Sequence, residues 1–352
     1  MSDLIEELQQ AREHTRRVAD DFNGAREFGP RLAIVNPPRW ELGHVAWFQE
    51  FWCLRKAGAG AASILPNADA LYNSATVPHD ARWQLPLPSF ADTLAYREEV
   101  LARLLERLGM ACGEDDTYFA RLAARHEEMH AEAFHYTRQT LGYPAPSGRR
   151  SAPEPAGASG DIELAGGAFR LGAVRGAQFA FDNEKWGHLV VLAPFRISRR
   201  LVTNGEFLAF VEAGGTAPVY WKDRQMRRFD RWIDLPLDEP VMHVNWFEAE
   251  AFCRYAGRRL PTEAEWEFAA NLGNGLEQMF GSLWQWTASA FLPYPGYLRD
   301  PYAEYSEPWF GTHKVLRGGS FATPPQIAHA KFRNFYTPDR ADIFAGFRTC
   351  AA

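Results

Sequence analysis

Two histidines stand four residues apart in the segment Arg125-His126-Glu127-Glu128-Met129-His130. On an α-helix, His126 and His130 would lie on one face a turn apart, where both imidazoles can reach one metal ion. A third ligand must come from elsewhere. His44, in WELGHVAWF, is the best placed, because facing helices of a bundle commonly supply metal ligands together. The same spacing also occurs on helices that bind nothing. Glu127 completes the literal HExxH pattern of zinc proteases, so these residues alone leave a zinc hydrolase open. His135 falls five residues after His130 and points off that face, which predicts a supporting or surface position. His14, His188, His313 and His329 read as ordinary polar or surface residues.

Those side chains need helices to position them, and residues 1–142 have the periodicity. Leu4, Leu8 and Ala11 begin one apolar stripe. Further helices are predicted from about Trp40 to Ala57, Phe90 to Leu108 and Asp115 to Leu141, all with apolar residues three and four apart. Pro37-Pro38 suits the start of the second helix, and Ser89 the N-cap of the third. The expected architecture is a four-helix bundle. The connection from Gly58 to Ser89 is too long for a plain turn, and long connections are often functional. Residues 143–160, YPAPSGRRSAPEPAGASG, read as a linker. From 161 to 352 the pattern changes. Short β-like runs (161–164, 167–171, 189–197) alternate with Gly, Pro and Trp. Helices are expected near 203–213, near 246–256 with Asn245 as cap, and after Pro261-Thr262. The fold class is therefore α+β, in two domains.

Bulk properties exclude other classes. A 46% hydrophobic and 23% charged composition is that of a globular protein. The net charge of −6 leaves no basic footprint, so no nucleic-acid partner is expected. No run approaches the ~18 apolar residues of a membrane span, and MSDLIEELQQAREHTRRVADDF has no apolar signal core. Four scattered cysteines, Cys53, Cys112, Cys253 and Cys350, form no CxxC pair and read as reduced thiols. A cytoplasmic location is expected.

With these motifs in view, the chain resembles a known family. RWELGHVAWFQEFW, LYNSA and RHEEMHAEAFHYT look like the DinB-like bundle of the sulfoxide synthases that make ergothioneine. GGAFRLG, FRISRRLVTNGEF, PVMHVNWFEAEAFCRYAGRRLPTEAEWEFAA, VLRGGSFATP and FRNFYTPDRADIFAGFR are similar to the formylglycine-generating-enzyme fold, an irregular C-type-lectin-like domain. This pair of domains, in this order, implies Fe(2+) held by His44, His126 and His130 rather than zinc. It implies an O2-dependent reaction in which a chalcogen donor is bonded to the imidazole C2 of hercynine, trimethylhistidine. Three neutral imidazoles would leave open positions for both substrates. Glu127 and Glu128 are candidates for orienting the ligands, with a solvated acidic face as the plain alternative.

The resemblance also implies roles in the second half. A tyrosine near the iron donates a proton, and the matching segment offers Tyr294 and Tyr297. A phenol with its ordinary pKa near 10 is protonated at neutral pH and can donate. Asn334 matches an asparagine on the hercynine ring, with Phe335 beside it in FRNFY. Arg340 matches a basic residue near the donor's carboxylate; its alternative is an ion pair with Asp339 or Asp342.

Four substrate positions depart from the family pattern. Met129 replaces a glutamine that bonds the hercynine ring. Ala75 and Thr76 replace paired tyrosines. Tyr336 replaces an aspartate used for the thiol substrate in one branch. Losing that acid argues against γ-glutamylcysteine with its ammonium group. ADALYNSATVPHDARWQLPLPS is similar to the selenoneine synthases, which join a selenosugar to hercynine, and His79, Asp80 and Trp83 there could line a donor pocket or simply form a surface loop. The expected donor is a selenosugar; the alternative is cysteine or γ-glutamylcysteine. A zinc-dependent thiol transferase and a non-catalytic binding module remain as other classes.

Overall fold

The computed structural model describes residues 2–19, 21–56, 62–110, 112–148, 150–273 and 275–352. The expected junction of the second helix with its long connection, Ala57 and Gly58, lies outside them. The chain divides into two compact units, Met1–Arg149 and Arg150–Ala352.

The first unit is helical: α1 Ser2–Ala19, α2 Pro38–Gln49, α3 Ala68–Tyr72, α4 Phe90–Leu108 and α5 Glu114–Leu141. Helix α4 starts where Ser89 Oγ accepts the Asp92 N–H, and α5 ends on Gly142 in the left-handed conformation at φ 66°. Helices α1, α4 and α5 enclose a core of Leu4, Leu8, Leu101, Leu104, Leu108, Ala120 and Ala123. Helix α2 is buried from Trp40 through Gln49, including its polar residues, which suits a segment with no continuous polar face. It continues in a wider π-turn, Glu50–Leu54, instead of running regularly onward. Glu50 accounts for part of that end: its buried carboxylate accepts from Ser63 Oγ at 3.0 Å and Ile64 N at 2.7 Å, and Tyr96 Oη also donates to it. Helix α3, inside the long connection, is an addition to the four expected helices. Five residues are too few to display a period.

Among the described residues the strands of the second unit are β1 Asp161–Leu164, β2 Gly167–Leu171, β3 His188–Leu192, β4 Phe195–Ser198, β5 Trp221–Lys222, β6 Gln225–Arg228, β7 Arg231–Asp234, β8 Arg258–Arg259, β9 Trp284–Ala290, β10 Lys314–Arg317, β11 Asn334–Tyr336, β12 Ala345–Gly346 and β13 Cys350–Ala351. They form two four-stranded sheets, ordered β1-β4-β13-β8 and β11-β10-β9-β12, a β2-β3 hairpin and a three-stranded β5-β6-β7 ribbon. The expected single run 189–197 is two strands, broken at Ala193-Pro194, where proline has no N–H for a ladder. Helices α6 Asn204–Glu212, α7 Trp246–Tyr255 and α8 Glu263–Leu272 each begin with a capping box, closed by Thr203 with Glu206, Asn245 with Glu248 and Thr262 with Glu265. All four cysteines are free thiols. Among the described residues no helix is long and apolar enough to cross a membrane.

Candidate metal centre

Helix α2 carries His44 and α5 carries His126 and His130. One ring nitrogen of each lies within 4.8 Å of the others. Ring centroids are 5.1 Å apart for His44–His126 and His44–His130, and 4.5 Å for His126–His130. Burial pulls the pKa values of His44 and His126 well below the ordinary imidazole value, and the neighbouring His130 adds to the effect. Both are held neutral, the state that ligates a metal. The rings are fixed by stacking: Trp40 lies 5.0 Å from His44 at 8°, and Phe48 3.6 Å from His126 at 5°. The donor set fits one metal ion.

The hydrogen-bond partners of His44 and His130 come from α2 and from the connection that follows it. His44 Nδ1 is 2.7 Å from the Tyr72 carbonyl, and Trp40 Nε1 donates to the Leu71 carbonyl at 2.7 Å. The last turn of α3 thus holds both rings. His130 Nδ1 is 2.6 Å from Glu41 Oε1. Gly43 permits this docking, since a Cβ there would fall 2.2 Å from the Tyr72 ring. The Arg82 guanidinium lies over Trp40 at 3.9 Å; burial brings its pKa down to about 10, partly opposed by Glu41.

Glu127 and Glu128 act elsewhere. Both are buried, so the solvated acidic face is not what forms. Glu127 accepts from Arg12 Nε at 2.8 Å and Arg97 Nη2 at 3.2 Å, tying α1 and α4 to α5. Burial disfavours its charge, but the two guanidiniums outweigh that and hold its pKa below the usual carboxylate value. A carboxylate locked between two arginines is poorly suited to act as the general base of a zinc protease. Glu128 meets His14 Nδ1 at 2.5 Å. His14 and His135 are buried between α1 and α5, their rings 5.7 Å apart, and neither is a surface residue. Met129 is half-buried, one residue before His130. In the connection, His79 Nε2 bonds the Val35 carbonyl at 2.9 Å, Trp83 Nε1 the Phe28 carbonyl at 3.1 Å, and exposed Asp80 pairs with Arg31. These contacts brace the loop.

In the second unit, Tyr294 is buried, donates to Glu263 Oε2 at 3.2 Å and accepts from Arg317 Nη2 at 3.0 Å. Arg333 also grips Glu263, with two bonds of 2.9 Å, and lies 4.0 Å from the Tyr294 ring. Tyr297 is half-buried and donates to Asp182 Oδ2 at 2.7 Å. Burial first, and then a neighbouring carboxylate, raises both phenols above their usual pKa, so both stay protonated at neutral pH. Strand β11 carries Asn334, Phe335 and Tyr336. Asn334 Oδ1 accepts the Phe335 N–H at 2.9 Å. Phe335 stacks on Phe291 at 4.1 Å, Phe291 meets Phe310 at 4.9 Å, and Phe310 meets Tyr297 at 5.1 Å, so these residues form one aromatic cluster. Arg340 makes a two-bond fork to buried Asp342, at 2.6 and 2.8 Å, and lies 4.9 Å from the Tyr336 ring. The ion-pair alternative is the contact that forms.

Sequence reasoning missed Glu41, Gly43 and Tyr72. For Glu41 and Gly43 the available signal was an acid and a glycine in a mostly apolar segment, just before the candidate ligand His44.

Comparison with known proteins places this geometry. Residues 4–134 match the DinB superfamily, and residues 149–275 and 271–352 match the sulfatase-modifying factor enzyme 1-like domain. The hercynine oxygenase of Mycolicibacterium smegmatis is 33% identical, over 98% of this chain and 97% of that protein. The formylglycine-generating enzyme of Streptomyces coelicolor is 28% identical, over 57% of this chain and 91% of that protein. Ergothioneine biosynthesis protein 1 of Schizosaccharomyces pombe is 29% identical, over 45% of this chain and 26% of that protein. The formylglycine-type match covers little more than the second half, whereas the hercynine oxygenase match spans both units and the histidine triad between its ends. This chain belongs to the hercynine oxygenase family, the ergothioneine-type sulfoxide synthases.

Proposed function

We propose that the chain is an iron(II)-dependent, O2-using enzyme that joins a thiol, cysteine or γ-glutamylcysteine, to the imidazole C2 of hercynine. The observation that carries this reading is the convergence of three buried histidines in a chain alignable end to end with hercynine oxygenases. The overall change balances as hercynine C2–H plus R–SH plus O2 giving the C2–S(O)–R sulfoxide plus water. Dioxygen is reduced by four electrons, and carbon and sulfur are oxidised.

His44, His126 and His130 would hold the ion. When bound, iron(II) supplies redox chemistry with O2 and open coordination positions. Tyr294 or Tyr297 keeps a proton on its phenolic oxygen, ready for transfer. Asn334 would meet the hercynine ring, and aromatic faces such as Phe335 suit its trimethylammonium group. Met129 adds a soft, polarizable side chain beside His130.

A second reading, with a selenosugar donor, is favoured by one local feature. Tyr336 offers no negative charge for a donor's ammonium, and the Arg340 fork is engaged by Asp342. The names of the relatives support the sulfur donor better. Mass spectrometry of a reaction containing hercynine with cysteine, γ-glutamylcysteine and a 1-selenosugar decides between them. The expected product carries sulfur. A product carrying only selenium would replace the thiol reading, and no hercynine adduct with any donor would remove both. Phenylalanine at Tyr294 or Tyr297 should slow bond formation with the metal still bound; wild-type turnover in both variants would end the tyrosine assignment.

A further inference from the structure

The direction in which an imidazole offers its ligating nitrogen is set by whatever holds the other nitrogen. His44 Nδ1 faces the Tyr72 carbonyl, which can only accept, so Nδ1 carries the hydrogen and Nε2 remains for the metal. His130 Nδ1 faces Glu41 Oε1 at 2.6 Å. The two ligands therefore have partners of different charge, one a neutral carbonyl and the other a carboxylate.

Beyond its electrostatic attraction to Arg82, Glu41 is poorly explained as a stabilising residue. It is 2% exposed in a helix buried along nearly its whole length, and an unpaired buried carboxylate is costly. Its hydrogen-bonded contact is His130, 89 residues away on α5. It lies one turn before His44, so α2 delivers both a ligand and the partner of a ligand on the opposing helix. Glu127 and Glu128, next to the ligands in sequence, are tied instead to Arg12, Arg97 and His14.

The geometry points to Glu41 as the positioning residue of His130. Its carboxylate holds the Nδ1 hydrogen, directs Nε2 at the metal, and makes His130 a stronger donor than His44. This rests on the metal-centre reading above.

The test uses the full chain, with Co(II) alone as the probe. Affinity is measured by chelator competition, and ligand geometry by the Co(II) absorption bands. Glu41→Gln keeps the shape and a hydrogen-bond acceptor but loses the charge; Glu41→Leu loses both. Outer partners of this kind govern about 10–100-fold in affinity, so Gln should weaken binding by about tenfold and Leu by about 100-fold. Both should shift the Co(II) bands, a change that general loosening of the bundle would not give in a variant with an unaltered melting point. If Leu does not fold, the near-isosteric Gln variant carries the test. Wild-type affinity and bands in a folded Gln or Leu variant would overturn the proposal. Failure of the wild-type chain to take up Co(II) would instead overturn the metal-centre reading, and this one with it.

Discussion

Glu184 lies fully buried in the turn Asp182–Glu184, and burial pushes its pKa up to about 8 against an ordinary 4.5. The Phe181 N–H and the charges of Arg317, Lys185 and Arg333 oppose that shift without cancelling it. The folded chain keeps this proton at pH values where the unfolded chain has released it. Its contribution to stability is therefore complete below pH 4.5 and is lost as pH rises through about 8. Urea unfolding across that window should show wild-type stability falling with pH, and Glu184→Gln should fall less steeply. Identical pH slopes for the two proteins would mean that Glu184 is ionised in the folded state. The same balance of burial against charge works the other way at Glu127, where two arginines keep a buried carboxylate ionised.

Helix α3 shows how a short element can hold a candidate ligand in place. Its last two carbonyls receive Trp40 and His44, and its Tyr72 ring occupies the notch above Gly43. In an exposed helix, Gly→Ala stabilises by about 1 kcal/mol. At Gly43 the sign should reverse, because the new Cβ would fall 2.2 Å from the Tyr72 ring and one of the two elements must move. Overpacking of this kind costs about 1–3 kcal/mol. Gly43→Ala should therefore lower the urea midpoint and weaken Co(II) binding together, since displacing α3 also displaces the Tyr72 carbonyl. A stabilised variant with unchanged metal affinity would show that α3 is not a support for His44.

At the scale of the whole molecule, the histidine triad belongs to the first unit, while the second has its own sheets, core and buried ion pairs. A metal that binds only the folded site stabilises it by about 2.7 kcal/mol at 100 times its Kd. Hydrogen exchange should therefore slow at the amides of α2 and α5 when Co(II) is added, and change little in β9 and β10. Equal slowing in both units would mean that they open as one cooperative body.

The sequence by itself determined the four longer helices of the first half, the change of pattern in the second, and the pair of histidines a turn apart. These features are local. A 3.6-residue period, a Thr or Asn three residues before Glu, and a Pro/Gly-rich stretch all report on neighbours within a turn or two. Only the tertiary structure decided the partners. Glu41 reaches His130 across 89 residues, while Glu127, adjacent to His126, turns to Arg12 across 115. Arg333 and Arg317 meet Glu263 across 70 and 54 residues, and β13 inserts between β4 and β8. Which buried charge meets which counter-charge depends on how helices and strands pack. A desolvated carboxylate takes the best cation or N–H that the fold brings within reach, and nearness in the chain does not identify it.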